Sequence, residues 1–178
     1  LESVAKPDTL LASNTSSIPL EKMAAVLKDK TRLVGLHFFN PVAKMPLVEV
    51  VRSKFTHKDA MEKAKAFCRH INKLPLPVKS TPGFLVNRIL MPYLLEAAIL
   101  RSEGISTAEI DQAAKDFGMP MGPLELADTV GLDICLHVAE QLAEPMGLVI
   151  PQMLRDLTAQ GKLGKKSAEG FYRYKKGK

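Results

Sequence analysis

A chain of 178 residues has room for one domain or two small ones, with a sizeable buried core. Apolar residues make up 46% and charged residues 25%, which excludes a disordered or fibrous chain, and no apolar run approaches the length of a membrane span. Against 19 Asp and Glu stand 25 Lys and Arg, a net charge of +6 that suits anionic small ligands at least as well as nucleic acid, for which no basic–aromatic motif is present.

From the N-terminus, residues 9–13 read as a short buried strand running into the polar cluster at residues 14–17. Pro19 and Glu21 suit the first turn of a helix reaching about Lys28. Ser16 and Ser17 either serve that helix entrance or face a ligand. Residues 32–39 form the next strand, closed by Asn40-Pro41, a strong turn signal. His37 thus falls at the carboxyl end of a strand, where open α/β sheets place ligand chemistry; the plainer reading is a core histidine bonded to backbone.

Glu49 shifts that balance. Residues 46–52 read as a further strand with this carboxylate inside an apolar run, and in a strand Leu47, Glu49 and Val51 share one face. A buried carboxylate is costly unless paired and hydrogen-bonded. The short connection from Asn40 to Pro46 allows the two strands to lie side by side, which makes His37 the natural partner. A carboxylate on one ring nitrogen fixes the tautomer, leaves the other nitrogen as a base, and stabilises the imidazolium once formed.

Thr56 with Asp59 three positions on marks a helix start, and Ala60, Ala64, Phe67, Cys68 and Ile71 keep helical spacing. His57 and His70, near its ends, read as solvated. Residues 76–79 suit a proline-limited edge strand. Thr81-Pro82-Gly83 then turns the chain into helical territory. Residues 84–103 are apolar on most faces, which reads as a deeply buried helix with Pro92 as its candidate kink. Asn87 is its polar exception, either a structural asparagine or a ligand contact. Ser106 and Glu109 make a capping box for a helix with Ile110, Ala113, Ala114 and Phe117 on one side, ended by Gly118. Residues 123–130, 132–144 and 151–159 complete a helical cluster. The basic tail, residues 162–178, reads as mostly solvated, with one strand-like alternation at 171–174. Cys68 and Cys135 lie on apolar helix faces with no CxxC pair, so neither a metal site nor a disulfide framework is expected, and a reducing compartment is.

Several of these pieces recur in order in a known family. They are residues 13–17 (SNTSS), 37–41 (HFFNP), 47–50 (LVEV), 81–88 (TPGFLVNR), 120–123 (PMGP) and 164–172 (GKKSAEGFY). The ordered set resembles the L-3-hydroxyacyl-CoA dehydrogenases over nearly the whole chain, most of all the dehydrogenase part of multifunctional fatty-acid oxidation alpha subunits or their single-function relatives. The resemblance implies an α/β remnant plus an all-α part: over residues 1–80 the second portion of a Rossmann-like NAD-binding domain, over 81–178 a helical substrate and dimerisation domain. It implies NAD-dependent oxidation of an L-3-hydroxyacyl-CoA to the 3-ketoacyl-CoA in fatty-acid β-oxidation. His37 would be the base and Glu49 its orienting carboxylate. Ser16 and Asn87 would hold substrate oxygens, Asn40 and Ser16 the nicotinamide side, and Lys166 would reach the cofactor across the domain boundary.

An acyl-CoA substrate, a second copy paired through the helical domain, and a bacterial cytoplasmic or organelle-matrix location are implied with it. The sequence contains no GxGxxG, and the family carries its glycine-rich turn ahead of the position of Leu1. With Leu rather than Met at its start, the chain is expected to be the C-terminal part of a longer enzyme, inactive by itself for want of a pyrophosphate site. Two rivals stay open. A non-catalytic helical dimerisation module would have no reason to retain His37, Glu49 and Asn87 together. A related hydroxy-acid dehydrogenase whose substrate lacks CoA is separable only by substrate profiling.

Overall fold

The computed structural model describes residues 2–16 and 18–175, and the chain divides after Leu85 into two units, residues 1–85 and 86–178, each with its own core. In the first, β1 (Leu11–Ser13), β2 (Leu33–Phe38), β3 (Leu47–Arg52) and β4 (Leu74–Lys79) make one sheet in the order of the chain. The pairs β1–β2 and β3–β4 are parallel, and β2–β3 is antiparallel. Pro75 and Pro77 bring no N–H to a ladder, which suits the edge position of β4.

Alternation along β2 and β3 sorts their side chains onto two faces. On one, Val34, Leu36, Val48 and Val50 pack against Ala60, Met61, Ala64 and Cys68 of α2 (Lys58–His70). On the other, Val51 meets Leu20 of α1 (Leu20–Ala24) and Phe84, while His37 and Glu49 occupy the next pair along. Phe84 therefore packs with the sheet, within the first unit.

Local differences from the sequence reading have physical causes. The first strand is shorter than residues 9–13 and only partly buried. The helix begun at Leu20 ends at Ala24, because only Leu20 and Ala24 find buried positions and Val26 is left 85% exposed. His57, not Thr56, caps α2, its Nδ1 accepting from the Asp59 amide. The Thr56 hydroxyl is engaged elsewhere, donating to the Leu33 carbonyl at 2.7 Å. Phe67 points outward from α2 rather than into the core.

The second unit holds α3 (Val86–Ser102), α4 (Thr107–Phe117), α5 (Pro123–Val130), α6 (Leu132–Met146) and α7 (Gln152–Ala159). Met91, Leu94 and Leu95 of α3 share a core with Ala127, Leu132, Cys135, Ala139, Leu142 and Leu154. The Ser106–Glu109 capping box opens α4, and left-handed Gly118 closes it.

Two buried aspartates stitch this unit together. Asp111 on α4 accepts from the Leu124 and Glu125 amides at 2.8 and 2.9 Å, so one helix caps the N-terminus of another. That explains Gly122-Pro123: a Cβ on Gly122 would lie 2.2 Å from the Asp111 side chain, and Pro123 has no N–H to satisfy. Asp128 on α5 accepts from the Phe171 and Tyr172 amides and the Tyr174 hydroxyl, each at 2.9 Å. Residues 171–174 are accordingly neither strand nor solvated tail; they are bound to a buried carboxylate, with an isolated bridge between Glu169 and Arg173. A Cβ on Gly170 would sit 2.1 Å from Asp128 Oδ1. Burial, followed by the hydrogen bond to Asp111, raises the Tyr172 hydroxyl well above its ordinary pKa, and burial with Asp128 does the same to Tyr174.

Candidate active site

The antiparallel register sets His37 directly opposite Glu49. Glu49 is fully buried and His37 is 8% exposed, and His37 Nδ1 lies 2.7 Å from Glu49 Oε2. Where the carboxylate accepts this bond, Nδ1 carries its proton and Nε2 carries the ring's lone pair. The second carboxylate oxygen is also held: Oε1 accepts from the Leu85 amide at 2.9 Å. That amide follows a turn in which the Phe84 N–H closes onto the Thr81 carbonyl at 2.9 Å. The Phe39 and Phe84 rings stand 4.8 and 5.6 Å from the imidazole, centroid to centroid. The result is a base whose tautomer is fixed by a carboxylate that is itself fixed, in apolar surroundings that strengthen both contacts.

Ser16 is exposed in the segment leaving β1, and Asn40 is exposed just past the end of β2. The two strands are parallel, so both residues follow carboxyl ends on the same edge of the sheet. Asn14 ties that edge together, its Oδ1 accepting from the Phe38 amide at 3.0 Å. Ser17 lies outside the described residues. Lys73 holds the connection between β2 and β3, its ammonium donating to the Val42 and Met45 carbonyls at 2.6 and 2.8 Å. Asn87 is the second residue of α3, half-buried, within the helical unit. Lys166, also in that unit, contacts Asp133 at 2.5 Å, and its ammonium holds the Asp133 carboxyl below the usual range. The structure thus joins His37 to Glu49 and aligns Ser16 with Asn40. The sequence assigns no separate role to Asn14, Lys73, Phe84 or the Leu85 amide, because contacts made to or through the backbone leave no residue-type signature. Among the described residues no group of three His, Cys, Asp or Glu side chains is placed to hold a metal, and no helix is long and apolar enough to cross a membrane.

The model of the 3-hydroxyacyl-CoA dehydrogenase NAD binding domain matches residues 1–81, and that of the 3-hydroxyacyl-CoA dehydrogenase C-terminal domain matches residues 83–174. The chain belongs to the 3-hydroxyacyl-CoA dehydrogenase family. It is 44% identical to the mitochondrial hydroxyacyl-coenzyme A dehydrogenase of Mus musculus, covering 98% of this chain and 58% of that protein. It is 40% identical to a fatty acid oxidation complex subunit alpha of a Psychrobacter species, covering 99% of this chain and 25% of the relative. The crystal structure of (S)-3-hydroxybutyryl-CoA dehydrogenase from Ralstonia eutropha matches with a TM-score of 0.94 at 40% identity, over 98% of this chain and 64% of that one. The chain therefore spans about three fifths of the Mus musculus and Ralstonia eutropha relatives and a quarter of the oxidation-complex subunit. Its mixed four-stranded sheet and following helices are those of the 3-hydroxyacyl-CoA dehydrogenase architecture, a Rossmann-like NAD-binding part and a helical part.

Proposed function

We propose that this chain carries the catalytic base of an NAD-dependent L-3-hydroxyacyl-CoA dehydrogenase of fatty-acid β-oxidation. The buried His37–Glu49 pair, with Glu49 also held by the Leu85 amide, is the observation that supports it. His37 Nε2 takes the proton of the substrate's 3-hydroxyl as the C3–O bond becomes a carbonyl. Glu49 stabilises the imidazolium that results and keeps the ring from turning. Ser16 and Asn87 hold the substrate oxygen, and Ser16, Asn40 and Lys166 serve the cofactor.

NAD, when bound, accepts the hydride leaving C3. The residues present fit the nicotinamide end of such a cofactor: polar Ser16 and Asn40 are exposed at the carboxyl ends of two parallel strands, beside a base. They do not fit its pyrophosphate. The segment after β1 contains no glycine and leads into a helix of only five residues, so that part of the site is assigned to residues outside these 178. A homodimer formed through the helical unit, and a compartment where acyl-CoA is oxidised, belong to the same proposal.

The test is NADH formation by the complete protein, comparing an L-3-hydroxyacyl-CoA with the free 3-hydroxy acid. Turnover of the thioester, lost in His37→Gln, is the expected result. Turnover of the free acid with no preference for the thioester would move the substrate to the class without CoA. Undiminished activity in His37→Gln would remove the base.

A further inference from the structure

Phe84 adopts a backbone conformation that bulky L-residues rarely occupy, φ +49°, directly after Gly83 at φ +72°. Glycine reaches this region without strain, and a phenylalanine held there needs surroundings that over-determine it. Those surroundings are present. The ring is 5% exposed, clusters with Leu20 and Val51, and stands edge-on to the His37 imidazole. The left-handed step is what delivers the next amide, that of Leu85, to Glu49 Oε1, while Oε2 receives His37 Nδ1.

We propose that Phe84 is a positioning residue for His37: its left-handed backbone aims the Leu85 N–H at Glu49, which fixes the carboxylate rotamer that holds the imidazole in its Nδ1-protonated tautomer. The ring's packing offsets the strain that φ +49° imposes on a phenylalanine, a cost that glycine does not carry. This rests on reading His37 as the base. The chain of contacts runs from the turn at residues 81–84, through one amide and one carboxylate, to Nε2.

Two changes attack the amide and one spares it. Phe84→Val keeps an apolar side chain but branches it at Cβ, which disfavours positive φ. Replacing the Phe84–Leu85 amide with an ester removes the N–H and leaves every side chain in place. Phe84→Gly keeps positive φ accessible. In the complete protein, the first two are expected to lower kcat by about tenfold or more with little change in KM, and Phe84→Gly by no more than about threefold. Nitrogen NMR of His37 supplies a readout that a purely structural role would not move: one tautomer in the wild type and in Phe84→Gly, a mixture in Phe84→Val and in the ester. Should Phe84→Val not fold, the ester carries the decision. A folded ester protein with wild-type kcat and a single tautomer overturns the proposal, as does Phe84→Gly proving as damaging as the ester. The tautomer is read without turnover. Its loss in the ester of a protein that oxidises no hydroxyacyl-CoA would therefore support the positioning role while removing the proposed activity.

Discussion

Glu49 is a carboxylate at the centre of a strand with no exposed surface; its Oε2 meets an imidazole, and its Oε1 accepts from the Leu85 amide. Glu49→Gln keeps the shape and one acceptor but removes the charge that steadies the imidazolium. Turnover is expected to fall by roughly 100- to 10,000-fold with the fold retained, which steady-state rates and circular dichroism check together. This pair was legible in the sequence because strand periodicity and the cost of burying a carboxylate both point across the turn to His37. The hold on Oε1 was not: it depends on φ at Phe84, and Pro82-Gly83 announces a turn without saying which amide it will present. A second residue-scale prediction concerns Cys135, whose thiol burial pushes up to about 12, and Cys68, raised by the same cause. Both should resist thiol reagents in native protein at mildly alkaline pH and react on unfolding. The sign of the linkage follows. The unfolded thiol ionises first, so the stabilisation from a buried neutral Cys135 is complete below the unfolded pKa and declines as pH rises towards about 12. Urea melts across that window check it.

Between elements, the helical unit is organised by Asp111 and Asp128 as much as by its apolar cluster. Asp111→Ala removes the acceptor for two amides at the start of α5 and for the Tyr172 hydroxyl, 2.8 Å away. Buried donors left unsatisfied cost about 1–3 kcal/mol each before relaxation, so a loss of at least that size is expected in denaturant unfolding. Asp128→Ala should free residues 171–174 from α5, visible as faster amide exchange at Phe171 and Tyr172. Helix ends in this unit were legible wherever the signal is local: the Ser106–Glu109 box, Gly118, Pro123. The aspartates were not, since an acidic residue on a helix ordinarily reads as solvent-facing, and its burial is decided by a glycine and a tyrosine far along the chain. The same limit explains α1, where Pro19 and Glu21 signal a start but no side chain after Ala24 finds a core to extend into.

At the scale of the whole molecule, the apolar content of α3 suggests a surface for a second copy, but much of it is already used. Met91, Leu94, Leu95, Ala97 and Ala98 are buried within the chain's own helical unit. What remains outside is sharper: Ile89 on α3 is 67% exposed, Phe117 at the end of α4 is 89% exposed, and Ile134 on α6 is 49% exposed. Burying one such side chain contributes on the order of 1.5–3 kcal/mol, and a two-fold doubles each contribution against the entropic cost of association. Light scattering is expected to give a dimer at micromolar concentration. Ile89→Glu and Phe117→Glu place a charge on exposed positions, so each should leave helix content unchanged. An isologous interface doubles every substitution, and at least one of the two should move the mass to that of a monomer. A wild-type protein that is monomeric at micromolar concentration would end the dimer proposal. A dimer indifferent to both substitutions would shift the interface away from α3 and the end of α4.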